Sequence, residues 1–206
     1  MQKTACAQMT GAEQRRAARV DQVLDAAATC FVEHGFHGAG MAKIAKSACM
    51  SVGHIYHYFE NKEAIIAAIV DRESALTAER FAELDAVDPS ELAEVMAERA
   101  AQSLADKSDI FLSVLNLEML AEGQRNPEVA KIIQRHDAYV RDRLNYIIGA
   151  KLGLSDPSAR TDMLMVMFSG IASRILRHPE LDREQLLPVM RKTMLQLLTA
   201  DDITGE

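Results

Sequence analysis

The stretch GMAKIAKSACMSVGHIYHYF, residues 40–59, constrains the fold more than any other part of the chain. Met41, Ile44, Ala45 and Ala48 recur at i, i+3, i+4 and i+7, one apolar stripe on a helix of about two turns. Ser51 is placed to N-cap a second helix, its hydroxyl satisfying an orphan N–H there. On that second helix Ile55 and Phe59, at i and i+4, form the inward seam. A turn of about 100° per residue then sends Gly53, His54, Tyr56 and His57 away from the seam. One glycine, two imidazoles and a phenol make a poor core and a good insert for a groove. A short helix, a tight turn and a second helix form the helix-turn-helix, whose second helix reads base edges in the DNA major groove.

Around this unit the remaining pattern is helical. Few Gly and Pro, no Trp and much Ala, Leu, Glu, Arg and Met favour helix over sheet. Residues 1–9 lack periodicity and read as a mobile tail. Thr10-x-x-Glu13 is a capping-box pattern opening a helix that is expected to stop at Gly35. Its stripe is Val20, Val23, Leu24, Ala27, Cys30 and Phe31. Asn61 caps a fourth helix running to about Leu84, and Asp88-Pro89-Ser90-Glu91 starts a fifth. A sixth follows the Lys107-Ser108 break, from about Asp109 to Glu122. Asn126-Pro127-Glu128 opens a seventh, ending near Gly149 to Gly153. Asp156-Pro157 starts an eighth, and Asp182-x-x-Gln185 caps a ninth that ends near Thr199. Pro188 is expected to kink this last helix or to mark a later true start.

Charge is unevenly spread. The net charge is −7 and the sequence pI about 5.4, which argues against nonspecific adhesion to nucleic acid. Residues 1–63 hold seven Lys/Arg and six Asp/Glu, net +1, whereas residues 64–206 hold sixteen and twenty-four, net −8. Lys3, Arg15, Arg16, Arg19, Lys43, Lys46 and Lys62 let the near-neutral head approach phosphates, while the acidic body repels them. Three cysteines without a CxxC spacing read as reduced thiols, with Cys30 a small buried hydrophobe. The N-terminus has no signal pattern and no apolar run reaches the roughly 18 residues of a membrane span. The expectation is a soluble, cytoplasmic protein.

Gly35-Phe36, Met41-x-x-Ile44-Ala45-x-x-Ala48 and Ser51-x-Gly53-x-Ile55-Tyr56-x-Tyr58-Phe59-x-Asn61-Lys62-Glu63 resemble the N-terminal domain of the TetR family of ligand-responsive transcriptional regulators. The resemblance covers about the first third of the chain. It implies an all-α fold: a three-helix DNA-binding head with helix-turn-helix, residues 1–60, and a six-helix ligand-binding and dimerisation body, residues 61–206. It also implies a homodimer formed through the last two helices, which here carry Met163, Leu164, Met167, Ile171, Ile175, Leu186, Leu187, Met190, Met194, Leu195 and Leu198. By the same resemblance Glu118-x-x-Ala121-Glu122-x-x-Arg125-Asn126-Pro127 looks like a stretch of the subgroup containing the glucuronide-responsive repressor of bacteria, from which no sugar-acid ligand follows.

Carried over position by position, the DNA contacts implied are Gly40, Ser51, Val52, Gly53, His54, Tyr56, His57, Tyr58 and Lys62. Gly40 stands where similar proteins have Thr or Ser, so its N–H can meet a phosphate without a hydroxyl. Val52 replaces a common Lys or Arg and can touch a thymine methyl instead. Gly53 lets the backbone approach the bases, and His54 and His57 donate to or accept from base edges. Tyr56 and Tyr58 resemble phosphate-positioning tyrosines, and Lys62 would meet the DNA backbone. Cys49 replaces the usual turn glycine, where a left-handed residue bearing a Cβ costs about 1–2 kcal/mol. Lys43 stands where an acid is common. The implied ligand cavity draws on Phe81, Met96, Phe111, Leu115, Met119, Tyr139, Arg143, Tyr146, Met163, Met167 and Phe168, with Leu84 beside them and Arg143 or Glu118 for orientation.

No cofactor and no metal are expected, since His54 and His57 at i, i+3 lack further ligands nearby. The function implied is a repressor of a near-palindromic operator, released by a small-molecule effector, with no membrane partner. Competing readings are an activator and a helical protein-interaction module with weakened DNA binding. An enzyme is a further alternative, although GxSxG, HExxH, P-loop and Rossmann patterns are absent.

Overall fold

The first helix, α1 (Gly11–Gly38), begins as the capping box predicts: the Thr10 hydroxyl accepts from Glu13 N at 3.3 Å, and Thr10 N donates to Glu13 Oε2 at 2.7 Å. Those hydrogen bonds from Thr10 hold the Glu13 carboxyl below its ordinary range. The structure is a computed structural model described over residues 10–105 and 109–201; the expectations for the tail, Lys3, Cys6 and the Lys107-Ser108 break fall outside those residues. Gly35 is where the chain leaves helical geometry, with φ 68° and ψ 165°, a conformation open to glycine. The helix does not end there as expected. One more turn follows, closed by Ala39 N to Gly35 O at 3.1 Å, and it brings the Phe36 ring to 5.5 Å from Phe31.

The apolar stripes then assemble the head. Val23, Leu24, Ala27, Cys30 and Phe31 of α1 are buried together with Ile44, Ala45 and Ala48 of α2 (Met41–Ser47) and Ile55 and Phe59 of α3 (Val52–Tyr58). Ile65, Ile66 and Ile69, near the start of α4 (Lys62–Asp85), are buried too. Asn61 Oδ1 accepts from Ala64 N at 2.8 Å, the expected cap of α4. The chain divides into two compact units between Ile69 and Val70, inside α4.

The second unit is helical throughout its described residues: α5 (Pro89–Ala105), α6 (Asp109–Gly123), α7 (Pro127–Tyr146), α8 (Pro157–Arg177) and α9 (Arg183–Thr199). Asp88, Asn126 and Asp182 cap α5, α7 and α9 as their sequence positions predict. Helix α5 packs on α9, and α7 on both α6 and α8. The core between them includes Leu92, Ala97, Ile147, Ile148, Leu164, Met194 and Leu198. The seventh helix closes with a π-helical turn, Ile147–Lys151, where Leu152 N reaches back to Ile147 O at 2.9 Å. A Cβ at Gly149 would lie 3.3 Å from Pro157 Cγ, so this turn sits close against the start of α8. Pro188 marks no later start: α9 is continuous from Arg183, with Pro188 inside it.

Arg160 is the largest fully buried side chain among the described residues. Its guanidinium donates to Ser155 O, Leu197 O and Ala200 O, each at 2.7 Å, and to Asp201 O at 3.3 Å. The last carbonyls of a helix lack intrahelical partners and carry partial negative charge, so α9 ends on a buried cation from α8. At the end of α4, Lys151 donates to Asp85 O at 2.7 Å and pairs with the Asp85 carboxylate at 3.2 Å. Arg143 pairs with that carboxylate at 2.6 Å. Burial pushes the Asp85 carboxyl upward, but the Lys151 hydrogen bond and the two positive charges outweigh it and hold the group below its ordinary range.

Candidate nucleic-acid interface

Two short helices and a turn position the candidate side chains, and each joint is locked locally. Ser51 Oγ accepts from His54 N at 3.2 Å and starts α3. The turn before it keeps a left-handed residue despite the Cβ, Cys49 at φ 51°, and Met50 N bonds Ala45 O at 2.9 Å. From α1, Gln22 Nε2 donates to Ala48 O at 2.8 Å and pins the same turn. Ile55 is wholly buried, so α3 cannot rotate without exposing it.

The outward face follows from that anchoring. Val52, Gly53, His54, Tyr56 and His57 are exposed, Tyr56 by 53%. A Cβ added at Gly40 or Gly53 would meet nothing within 4 Å, so neither glycine is required by the packing of the head. Gly40 is an exposed N-cap of extended backbone that opens α2 without a side-chain hydrogen bond. Lys43 and Lys46 are exposed on α2. A helix about 10–12 Å across carrying such a face suits a major groove about 12 Å wide.

Two of the expected contacts are placed differently. Lys62 does not extend toward solvent: its ammonium donates to Phe36 O at 2.6 Å and lies 4.1 Å above the Phe36 ring. The carbonyl lies in the last turn of α1, where no intrahelical donor follows, and the ring attracts the cation through its quadrupole. Tyr58 is half-buried, its hydroxyl 3.3 Å from His54 Nε2 and its ring against both His54 and His57. Both residues thus brace the head itself.

The expected ligand residues differ widely in burial. Phe81 and Met96 are buried in the body's core, with Tyr139 and Met167 packed against it; Leu115 is buried and Met119 half-buried. Phe111, Tyr146, Met163 and Phe168 are exposed instead. Arg143 is already engaged, paired to Asp85 and lying over the Phe81 and Tyr146 rings at 5.6 and 5.4 Å. Glu118 is half-buried on α6. An open cleft of about 430 Å³ lies elsewhere, lined by Glu94, Val95, Glu98, Arg99, Gln102 and Arg191, and includes none of the expected residues. Among the described residues no group of His, Cys, Asp or Glu is arranged to hold a metal, and no helix is long and apolar enough to cross a membrane.

Among the connections that sequence reasoning missed are the Lys62 latch, the Arg160 staple, and Ser74 Oγ at 2.7 Å from His136 Nδ1 between α4 and α7. Their partners lie between 26 and 62 residues apart, beyond any periodic signal.

Residues 23–69 match the family described as bacterial regulatory proteins, tetR family. The HTH-type transcriptional regulator UidR of Escherichia coli strain K12 is 39% identical over 115 residues, 55% of this chain and 56% of its own length. The chain thus spans about half the length of the curated relatives it matches. GusR of Salmonella enterica superposes with a TM-score of 0.71 at 26% identity, over 88% of this chain and 95% of that one. FadR of Bacillus subtilis, solved in complex with stearoyl-CoA, has a TM-score of 0.67 at 24% identity, over 88% and 98%. The shared fold therefore extends well beyond the matched head, to a helical body as well.

Proposed function

We propose that the chain, whose residues 23–69 match the tetR family of bacterial regulatory proteins, is a dimeric, sequence-specific repressor released from its operator by a small molecule. The observation that carries this reading is the outward face of α3. Tyr56 and the two imidazoles occupy it although the packing of the head needs none of them there. In this reading His54, His57 and Val52 meet base edges, Gly53 lets the backbone close on the groove, and Gly40 and Tyr56 meet phosphates. Ser51 serves as the cap that aims them. One short helix makes few base contacts, so two copies on half-sites about 34–36 Å apart, one helical turn, supply the affinity.

The pairing surface proposed is on α8 and α9. Met163, Val166 and Val189 are 49%, 64% and 61% exposed, a large apolar display for side chains that gain nothing from water. Other residues expected at that surface, Leu164, Ile175, Met190, Met194 and Leu198, are buried within the chain and serve its core. The effector is proposed to act on the body, with α4, which runs through the division between the units, as the lever. A ligand favouring one arrangement of the two heads must weaken DNA binding by the same coupling factor that DNA weakens the ligand. That a protein of this fold holds stearoyl-CoA, an acyl chain on a charged head, is consistent with a body able to take up a small molecule. The assignment of DNA binding to residues 1–60 and of effector binding and dimerisation to residues 61–206 is part of this proposal.

The test is an operator shift assay on the promoter beside the gene itself, with Tyr56→Ala as the variant. A loss of about 10- to 100-fold, equal across related sequences, is expected for a removed phosphate contact. Undiminished binding by that variant contradicts the assigned face.

A further inference from the structure

Helix α3 contains no Lys, Arg, Asn, Gln, Asp or Glu, so its polar reading of bases falls to imidazoles and phenols. A neutral imidazole is an ambiguous reader. Either nitrogen can carry the proton, so the ring offers a donor or an acceptor at the same atom depending on its tautomer. Left free, it satisfies a donor edge and an acceptor edge about equally well. His54 is not left free: Tyr58, one turn later on the same helix, places its hydroxyl 3.3 Å from His54 Nε2. The two rings lie 5.3 Å apart at 33°, and the Tyr58 ring meets His57 edge-on at 5.2 Å and 74°. Tyr58 is half-buried while both histidines are exposed, so the fixed partner holds the movable ones.

We propose that Tyr58 is a positioning residue that sets the tautomer of His54, so that α3 offers the operator a hydrogen-bond donor and selects an acceptor edge. This deepens the DNA-binding reading given above and rests on it. A phenol is a better donor than a neutral imidazole N–H, and an imidazole nitrogen a better acceptor than a phenol oxygen. The O–H therefore donates to Nε2, the ring proton stays on Nδ1, and Nδ1–H is the group left for the base. Guanine, with O6 and N7 side by side, is the favoured partner in the major groove. Cytosine, which offers only its N4 donor there, is rejected.

Tyr58→Phe removes the hydroxyl and keeps the ring, and two measurements read the result. Nitrogen NMR of the His54 imidazole in the free protein should show the Nδ1–H tautomer, shifting toward Nε2–H in Tyr58→Phe. An Nε2–H tautomer in the unsubstituted protein overturns the proposal whatever the DNA does. Selection from randomised duplexes should then show Tyr58→Phe losing about 5- to 10-fold discrimination for guanine at one base pair per half-site. His54→Ala should lose the same position, and the double variant no more than either. Uniform weakening across all sequences would make Tyr58 a phosphate contact and overturn the inference. Failure of the unsubstituted protein to enrich any sequence would remove the DNA-binding reading itself, a result distinct from a wrong tautomer.

Discussion

In the head, α3 buries Ile55 and Phe59 and turns rings and a glycine outward; in the body, α8 buries Arg160 completely and turns Met163 and Val166 outward. Helix α8 breaks both halves of one rule that α3 keeps. Apolar residues belong inside and charges outside because water solvates charges and is displaced from hydrocarbon. The inward arginine of α8 is tolerated because four backbone carbonyls replace its hydration, and its outward methionine and valine belong to the face proposed above for pairing. The outward face of α3 instead collects groups that can be solvated yet hydrogen-bond in fixed directions. The surface proposed for reading and the surface proposed for pairing thus differ in directionality more than in exposure.

The comparison breaks most severely if Arg160 is dispensable. Arg160→Ala strands several carbonyls and leaves a cavity, so urea unfolding of the body should show a loss of about 3–5 kcal/mol. A loss below about 1 kcal/mol would mean that the end of α9 is held otherwise. Next, Val166→Asp places a charge on the proposed pairing face and leaves the monomer's packing alone. Sedimentation should show the dimer dissociating at least 100-fold more readily, with operator affinity falling alongside; an unchanged dimer would move the interface elsewhere.

Lys62→Met removes a charged hydrogen bond and a cation–π contact, which together stabilise the head by about 2 kcal/mol. Thermal melting should fall accordingly, while the slope of operator affinity against salt stays as before. A slope reduced by about one would return Lys62 to the phosphates. The smallest effect sharpens the contrast most. Gly53→Ala should stabilise the head by up to about 1 kcal/mol, since alanine favours helix and nothing lies within 4 Å. Operator affinity should drop at the same time, because the methyl enters the space proposed for DNA. Gains in both would mean that Gly53 faces no partner.

Much of this was legible before any coordinates. The caps at Thr10, Ser51, Asn61, Asn126 and Asp182 and the inward pair Ile55 and Phe59 all depend on residues at most a few positions apart. Such contacts lie within the helical repeat, so spacing alone reveals them. The body's expected cavity was the least legible part. Phe111 and Phe168 differ from Phe81 in no local pattern, yet they are exposed where Phe81 is buried.

Side chains on the order of 26 to 67 residues from their partners were settled by packing alone. Lys62 turned to Phe36 because the end of α1 left a carbonyl open beside an aromatic ring, and Lys151 turned to the end of α4 because the π-helical turn brought it there. Arg160 could engage all three guanidinium nitrogens only where α9 happens to end. One-dimensional order carries short-range geometry faithfully because neighbouring residues share a rigid backbone. Long cationic side chains answer to whichever orphaned carbonyl the folded chain brings within reach, and that is known only once the chain has closed on itself.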